Sequence, residues 1–324
     1  MEPLPEDLLT GAHSLGAWRE AGVTRRQLQG PMWSRTARGL YAWSAAGEPD
    51  PRERILRVAA ALPSGAAIGG WAASMLHGTT CLDGEDSPGN PLPIPVCLSR
   101  DQTCRRMHGQ QVWRSDLGDG DVVEIEGIPV TSAVRTAFDL ARWRPPLAAS
   151  RVGWAVVVEA VVLVDGLITA TGLSPDEVRE YAERHRKRHG VAQARQVLGL
   201  AVPGSRSPGE TRFRVFWEVE AGLPRPLVNP RVVDRNGVLL GCVDLADPQA
   251  GMVGEYDGAY HADGWQGSMD SAREQGLVAS GLVVVRACAP DFGPHRRRTI
   301  FRLQEAYRRG MSRDRRRDQW RIVA

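Results

Sequence analysis

The sequence has almost no lysine. Lys187 is the single lysine among 41 basic residues, so arginine carries nearly all of the positive charge. Guanidinium groups suit phosphate oxygens and guanine edges, but a GC-rich genome that favours arginine codons produces the same bias, and the net charge is only +3. The distribution is therefore more informative than the total. Arginines are concentrated near both ends of the chain, at Arg25, Arg26, Arg35 and Arg38 and again within 296–298 and 308–317.

Cysteine pairs and long apolar runs are missing as well. The five cysteines are scattered and form no C-x-x-C pair, which argues against a disulfide framework or a zinc site. The sequence has no stretch of about eighteen uncharged apolar residues, the length that a membrane span needs. Its first residues, MEPLPEDLLTGAHS, lack the basic and apolar segments of a secretory signal. We therefore expect a cytoplasmic protein that does not interact with a membrane.

The first 49 residues follow the order of a winged helix-turn-helix. A short helix in LLTGAHSLGAWREAG precedes a brief second helix with Thr24 as its N-cap, and a basic, aromatic hairpin follows in SRTARGLYAW. The pattern GVTRRQL…W…RGLYAW resembles the N-terminal domain of AbiEi-type antitoxins and related bacterial transcription regulators. The resemblance implies DNA contacts; alternatively, the aromatic residues only fill a small core and the arginines face water. The candidate DNA-binding residues are Arg25, Arg26, Gln27, Arg35 and Arg38.

The middle of the chain divides into two ranges. Residues 50–144 alternate helix-like and strand-like stretches, which indicates a mixed α/β region similar to the middle portion of the same antitoxin-like proteins. In 145–204, an apolar stretch interrupted by Glu159 and Asp165 predicts a buried helix, and the segment RHRKRHG predicts a solvated helix end. We interpret 145–204 as a helical linker region that ends at a Gly/Pro/Ser-rich domain boundary, LGLAVPGSRSPGE.

After this boundary the predicted order is helix, three strands, helix, strand and helix. Ser207 is placed to cap the first helix, with Pro208 at its first position and Glu210 at capping-box spacing. Two strands joined at the turn RNG follow, then a third strand in GMVGEYD and a fourth in LVVVRA. The last helix, TIFRLQEAYRRG, precedes a basic tail at 311–324, and charge runs of this kind are usually solvated.

Acidic residues are concentrated on two neighbouring strands of this C-terminal unit. Asp244 lies on one strand and Glu255 and Asp257 on the next, so pairing of the strands would bring their carboxylates to one end of a sheet. Carboxylates this close repel one another unless they are protonated or neutralised by a cation. Mg²⁺ takes a few carboxylates together with water and phosphate oxygens, and it activates water for attack on phosphate. The pattern therefore predicts a divalent-metal site.

The segment SPGETRFR…VDLAD…VGEYDGAYH…D…RE…L…G…VVVR, which spans about 100 residues, resembles the PD-(D/E)XK nucleases. Within that superfamily it is most similar to the very-short-patch-repair-like endonucleases. The resemblance implies a Mg²⁺ or Mn²⁺ ion held by Asp244, Glu255 and the backbone carbonyl of Tyr256. It also implies a catalytic role for Glu210 as an accessory acid, although a helix cap explains Glu210 equally well.

The sequence departs from the family pattern at one position. Asp257 stands where the family has its catalytic lysine, and no other lysine lies nearby. The repair-like branch also lacks that lysine and relies on a histidine, which His261 matches, either as the general base or as the group that steers the attacking water. Asp257 is then either a further catalytic acid or a partner that orients His261. The departure also leaves open a degenerate nuclease that binds DNA without cutting it.

We therefore expect an α/β multidomain protein with a winged helix-turn-helix at 1–49, the mixed α/β region at 50–144, the helical linker region at 145–204, and a restriction-endonuclease-like α/β core at 205–310 before the tail. The expected function is DNA cleavage by a metal-dependent endonuclease that a winged helix guides to its substrate, with Arg206 and Arg273 contacting DNA near the cleft. The alternatives are an antitoxin-like transcriptional regulator and a protein-interaction module without a DNA role. A toxin or a DNA-modification enzyme is a further candidate partner.

Overall fold

A computed structural model describes residues 4–44, 47–82, 84–86, 89–104, 109–143, 154–258 and 266–323. At 266–272 it describes the backbone only. Within these ranges the chain is an α/β multidomain protein with four separate sheets. The candidate general base His261 lies outside the described residues, so the structure says nothing of its position.

The N-terminal region is a three-stranded sheet with one short α-helix. The sheet has the order β1-β3-β2, and Trp18, Trp33 and Trp43 pack edge to face beside it. The second helix expected after Thr24 is a single 3₁₀ turn, Gln27–Gln29, which is shorter than the helix that a helix-turn-helix places in the major groove. The bounds are β1 His13–Ser14, α1 Leu15–Glu20, β2 Trp33–Ala37 and β3 Leu40–Trp43.

The middle region is built on a five-stranded mixed sheet. Its order is β6-β5-β4-β8-β7, with β5/β6 and β4/β8 parallel and the other pairs antiparallel. The bounds are α2 Pro51–Ala59, β4 Ala67–Ile68, α3 Gly70–Leu76, β5 Ile94–Leu98, β6 Gln110–Arg114, β7 Val122–Ile125, β8 Ile128–Thr131 and α4 Ala133–Arg142.

The helices of the expected linker region share one hydrophobic core with this sheet. The core joins side chains from the sheet to Val161, Leu167 and Val197 of the helical region, so residues 154–204 are packed against the middle region and do not connect it loosely to the next. The bounds are α5 Trp154–Thr171, α6 Pro175–Arg184 and α7 Val191–Leu200.

By its length and its apolar composition alone, helix α5 could cross a membrane. However, 61% of it is buried inside the protein. Its two acidic residues are fully enclosed, and each forms an ion pair with an arginine of the C-terminal region, Glu159 with Arg212 and Asp165 with Arg214. The helix is thus a core helix, as its sequence predicts.

The C-terminal region contains two sheets. One has the order β14-β13-β12-β9 and the other β11-β10-β15. Buried side chains of α8 and α10 cover one face of the first sheet, and Leu277 of α9 packs on the other. The bounds are α8 Pro208–Val215, β9 Leu227–Val228, β10 Arg231–Asp234, β11 Leu239–Cys242, β12 Leu245–Asp247, β13 Met252–Tyr256, α9 Gln266–Ala279, β14 Val283–Ala287, α10 Arg296–Met311 and β15 Trp320–Val323.

Two expectations for this region need correction. The two strands expected as a hairpin are four strands, β9 to β12. Strands β9 and β12 belong to the four-stranded sheet, and β10 and β11 belong to the three-stranded sheet. The basic tail is folded: β15 pairs with β10, and Trp320 and Ile322 pack against a buried cluster. Arg313 is bound internally, by Asp318 and by the carbonyl of Gln249 at 2.7 Å. The C-terminal unit therefore extends at least to Val323.

Candidate active site

The break in the hairpin strands creates the centre of the site. Asn229 has a left-handed backbone (φ 50°), and Pro230 follows it, so the first strand cannot continue straight. On the second strand the break falls at Asp244. Its carbonyl accepts a hydrogen bond from the N–H of Asn229 at 2.9 Å, and its carboxylate accepts one from the N–H of Tyr256 at 2.6 Å. The carboxylate of Asp244 thus takes up a backbone donor of the neighbouring strand.

The strand register places the site residues in one row across the sheet. Leu245 pairs with Gly254 and with Val228. Since the strands are antiparallel, the preceding residue, Asp244, lies opposite Glu255 on one side and opposite Asn229 on the other. The structure therefore brings Asp244 and Glu255 side by side. On the far side of Glu255, the parallel strand β14 contributes Arg286 at the paired position.

Glu210 is tied to the same row through the start of α8. Ser207 caps the helix, since its hydroxyl accepts the N–H of Glu210 at 3.1 Å. The carboxylate of Glu210 does not return to the N–H of Ser207, as a capping box requires. It accepts the N–H of Arg206 at 2.9 Å and the side-chain amide of Asn229 at 2.8 Å. Glu210 thus closes the helix end and connects it to the strand break.

Glu255 is the most perturbed acid of the group. Its Oε2 accepts a hydrogen bond from Arg273 at 2.9 Å, and Arg273 also donates to the carbonyl of Cys242 at 2.8 Å. Its Oε1 is buried and has no hydrogen-bond partner among the described residues. Burial raises the pKa of Glu255 to about 7; Asp244 raises it too, whereas Arg273 and Arg286 oppose the rise.

The three carboxyl groups act on one another electrostatically. The pKa of Asp244 is raised first by burial and further by the charge of Glu210, against the hydrogen bond from Tyr256 and the charge of Arg273. The exposed Arg206 also lowers it. Because Asp244 in turn acts on Glu255, the site is a chain of three coupled acids beside two of the predicted DNA-binding arginines.

The side chains of Tyr256 and Asp257 are not part of the row of carboxyl groups. The Tyr256 ring packs against Gly209 at the start of α8, where a β-carbon would overlap it, and stacks on Phe292 at a 5.9 Å centroid distance. Strand β13 ends at Tyr256, so alternation does not extend to Asp257. Asp257 is exposed. The pKa values of Tyr256 and Cys288 are raised first by burial and further by the charge of Asp257. No contact joins Asp257 to the other acids within the described part of the chain.

The oxygen donors suit a hard cation such as Mg²⁺. Across the described ranges, no three His, Cys, Asp or Glu side chains are arranged to hold a metal ion. Mg²⁺ usually binds through one or two carboxylates and completes its shell with water and phosphate oxygens. The side-by-side Asp244 and Glu255, with the buried and unpartnered Oε1 of Glu255, therefore fit such an ion.

The predicted DNA-binding residues of the N-terminal region are placed unequally. Arg25, Arg26, Arg35 and Arg38 are exposed. Gln27 is engaged within the chain, because its side-chain oxygen accepts the N–H and the hydroxyl of Thr24, both at 2.7 Å. Of the arginines near the cleft, Arg206 is exposed, whereas Arg273 is half-buried against Glu255.

Sequence reasoning missed Asn229, which links Glu210 to the strand break. The signal was present, since an Asn-Pro dipeptide inside an apolar run marks a turn and disfavours a continuous strand.

No protein-family model matches the chain, and no curated protein matches it. Among solved structures it is similar to the crystal structure of the RV2827C protein from Mycobacterium tuberculosis, with 15% sequence identity and a TM-score of 0.33, over 59% of this chain and 77% of that chain. A likeness of this size carries no argument about function.

Proposed function

We propose that the protein is a Mg²⁺-dependent DNA endonuclease of the very-short-patch-repair-like type, guided to DNA by its N-terminal region. The observation that supports this is the row of carboxyl groups at the strand break. Asp244 and Glu255 lie side by side, and Glu210 is coupled to Asp244 through charge. Ionised together, these groups repel one another, and a dication that binds between them removes the repulsion.

Asp244 and Glu255 would hold Mg²⁺ or Mn²⁺, together with the backbone carbonyl of Tyr256. A bound dication polarises the phosphate and lowers the pKa of the attacking water. Glu210 keeps the start of α8 against the strand break and adds negative charge beside Asp244. Arg206 is exposed and free to contact DNA phosphate, and the half-buried Arg273 lies at the same edge of the site. In this proposal His261 is the general base, and Asp257 orients it or acts as a further acid.

Replacing Asp244 with Asn should abolish metal-dependent nicking of plasmid DNA, because one of the two charged ligands is lost. We expect a rate reduction of about 100-fold or more, measured with purified protein, supercoiled plasmid and Mg²⁺ or Mn²⁺ in excess over DNA phosphate. Glu124→Gln is the matched control, since Glu124 is an exposed acid on β7. Nicking that survives Asp244→Asn at the wild-type rate contradicts the proposal.

A second function, a non-cleaving antitoxin-like DNA-binding regulator, is favoured by one observation. Arg273 already neutralises Glu255 in an internal ion pair, so the site is partly balanced without a metal. In that case the nuclease fold is a scaffold and the N-terminal region carries the function, with a toxin or a DNA-modification enzyme as a partner. Either function belongs in the cytoplasm, where DNA is available.

Both functions predict that the N-terminal arginines contribute to DNA binding. The double variant Arg25→Ala/Arg26→Ala should weaken binding to duplex DNA about tenfold at low salt. It should also make the affinity less dependent on salt, because fewer counterions leave the DNA when fewer phosphates are contacted. A gel-shift titration at several salt concentrations measures this. Arg19→Ala, which removes a further arginine of the same region, is the control. A titration identical to wild type would contradict a DNA-binding role of these two residues.

A further inference from the structure

A cavity of about 570 Å³ lies between the N-terminal hairpin and the middle region. Its walls come from β2, from α2 and the segment before it, and from the segments that lead into β5 and β6. Small-molecule sites typically have volumes of about 300–1,000 Å³ and often occur where two structural units meet. None of the candidate active-site residues lines this cavity, so it is a separate feature of the molecule.

Arg54 of α2 is a fixed part of the cavity wall. Its Nη2 donates to the carbonyl of Gly84 at 2.6 Å, and its guanidinium lies over the ring of Trp71, 5.7 Å from the centroid. Gly84 has a left-handed backbone (φ 79°), and a β-carbon there would come within 2.8 Å of Arg54 Nη2. Glycine is thus required for the arginine to occupy this position, and the side chain is held in place before any ligand binds.

The charge of Arg54 is not balanced by direct contact. Within the described ranges it forms no salt bridge, and its buried Nε has no hydrogen-bond partner. Burial lowers the pKa of Arg54, although the charges of Glu85, Asp50 and Glu48 act in the opposite direction. Arg54 is half-buried, and even partial burial of a cation without an ion pair carries a desolvation cost. An anion in the cavity would offset that cost.

Two neighbouring groups of β2 are also available to an anion. Arg35 lines the cavity, is exposed, and forms no ion pair among the described residues. The hydroxyl of Thr36 is buried and has no partner there either. Arg57 differs, because Glu53 and the carbonyl of Trp43 already occupy its guanidinium at 2.7 and 2.9 Å. The wall therefore offers two unbalanced guanidinium groups and a hydroxyl.

We propose that this cavity binds a nucleoside monophosphate. A phosphate monoester carries nearly two negative charges near pH 7 and matches Arg35 and Arg54, whereas a carboxylate carries one. Glu48, which also lines the cavity, is an acceptor for the amino group of a base, and Val58 and Leu92 give apolar wall for its ring. A ligand held by β2 and α2 together would fix the N-terminal hairpin against the middle region.

The test is calorimetric titration of the intact chain without metal or DNA, so its outcome is independent of the proposed nuclease. The probes are adenosine 5′-monophosphate, adenosine and inorganic phosphate. We expect a dissociation constant below about 1 mM for the nucleotide, no binding of adenosine, and weaker binding of phosphate. Arg35→Gln and Thr36→Val should each weaken nucleotide binding, the former about tenfold. Arg19→Gln, which replaces an exposed arginine of α1 that does not line the cavity, should leave it unchanged.

Three results would overturn the proposal. The first is that none of the probes binds. The second is that phosphate alone binds as tightly as the nucleotide, which would mean an adventitious ion only. The third is that Arg35→Gln and Arg19→Gln weaken binding equally, since this would show a diffuse effect of surface charge. Circular dichroism of each variant establishes that it is folded before it is titrated.

Discussion

Replacement of Glu255 by Gln is expected to have two opposite effects. Metal-dependent cleavage should fall by about 100-fold or more, while the metal-free protein at pH 8 should become more stable. The first effect follows from the loss of a charged metal ligand. The second follows because the ionised carboxylate is buried, lies opposite Asp244, and leaves Oε1 without a hydrogen-bond partner among the described residues.

The pH dependence of the stability effect has a definite sign. Burial raises the pKa of folded Glu255 to about 7 from an ordinary value of 4.5, so the folded protein holds a proton that the unfolded chain has lost. The associated stability is fully present below the unfolded pKa and is lost as pH rises through 7. Each pKa unit corresponds to about 1.4 kcal/mol. Glutamine resembles the protonated acid, so its advantage over glutamate should be small at pH 4.5 and about 2–3 kcal/mol at pH 8.

Urea unfolding of both proteins in chelator, across pH 4.5 to 8, measures this difference. Glu124→Gln should show no comparable change with pH, because Glu124 is exposed. Added Mg²⁺ should stabilise the wild-type protein increasingly as pH rises, since binding needs the deprotonated acid, and should not stabilise Glu255→Gln to the same extent. Equal stability of the two proteins at pH 8 would contradict the account of a strained, buried carboxylate.

The sequence allowed helices α8, α9 and α10, strands β13 and β14, and the closeness of Asp244 and Glu255 to be predicted, because their signals are local. Ser207 and Pro208 mark the start of α8, and the glycine at 281, with φ 96°, marks the end of α9. A turn of five residues or fewer between two strands fixes their register, so the neighbouring strands β12 and β13 had to place their acids near each other. The register of β12 with β13 places Asp244 opposite Glu255.

What could not be predicted depends on partners far away in the chain. Strand β15 exists because Trp320 and Ile322 find β10, roughly ninety residues earlier, and a run of arginines gives no sign of that pairing. The role of Glu210 in holding Asn229 likewise depends on a strand break that only the assembled hairpin shows. The sequence of 154–204 shows apolar helices but does not show that they pack on the sheet of the middle region, so it predicts a linker region there.

One non-local contact was nevertheless indicated by the sequence. An acidic residue inside an apolar helix requires a partner, because a buried charge without one costs several kcal/mol. Asp165 of α5 has that partner in Arg214 of α8, at 2.8 Å, and both side chains are almost fully buried. Asp165 also accepts hydrogen bonds from Thr211 and from the N–H of Val202. This network joins the helical region to the helix that carries Glu210.

Arg214→Met is expected to be among the most destabilising substitutions in the protein. It leaves Asp165 and Glu218 buried without the guanidinium that now contacts both, at 2.8 and 2.6 Å. Removal of one partner from a buried ion pair typically costs about 3–5 kcal/mol. Arg225→Gln is the matched control: it removes an exposed arginine from the same Glu218, and pairs of that kind contribute about 0–1 kcal/mol.

A double-mutant cycle distinguishes loss of the pair from loss of packing. In Asp165→Asn/Arg214→Met neither member of the pair is left charged, so the double variant should be less destabilised than the sum of the two single variants, by about 1–3 kcal/mol. Burial raises the pKa of Asp165 to about 6 even though Arg214 lowers it, so removal of Arg214 raises this pKa further. The penalty of Arg214→Met alone should therefore shrink as pH falls towards 6, because the orphaned acid takes up a proton, and should be smallest below pH 6. Urea unfolding at pH 5 and pH 8 measures both effects. Strict additivity, or a penalty independent of pH, would show that Arg214 stabilises the helix junction through packing and that the charge of Asp165 is of no consequence.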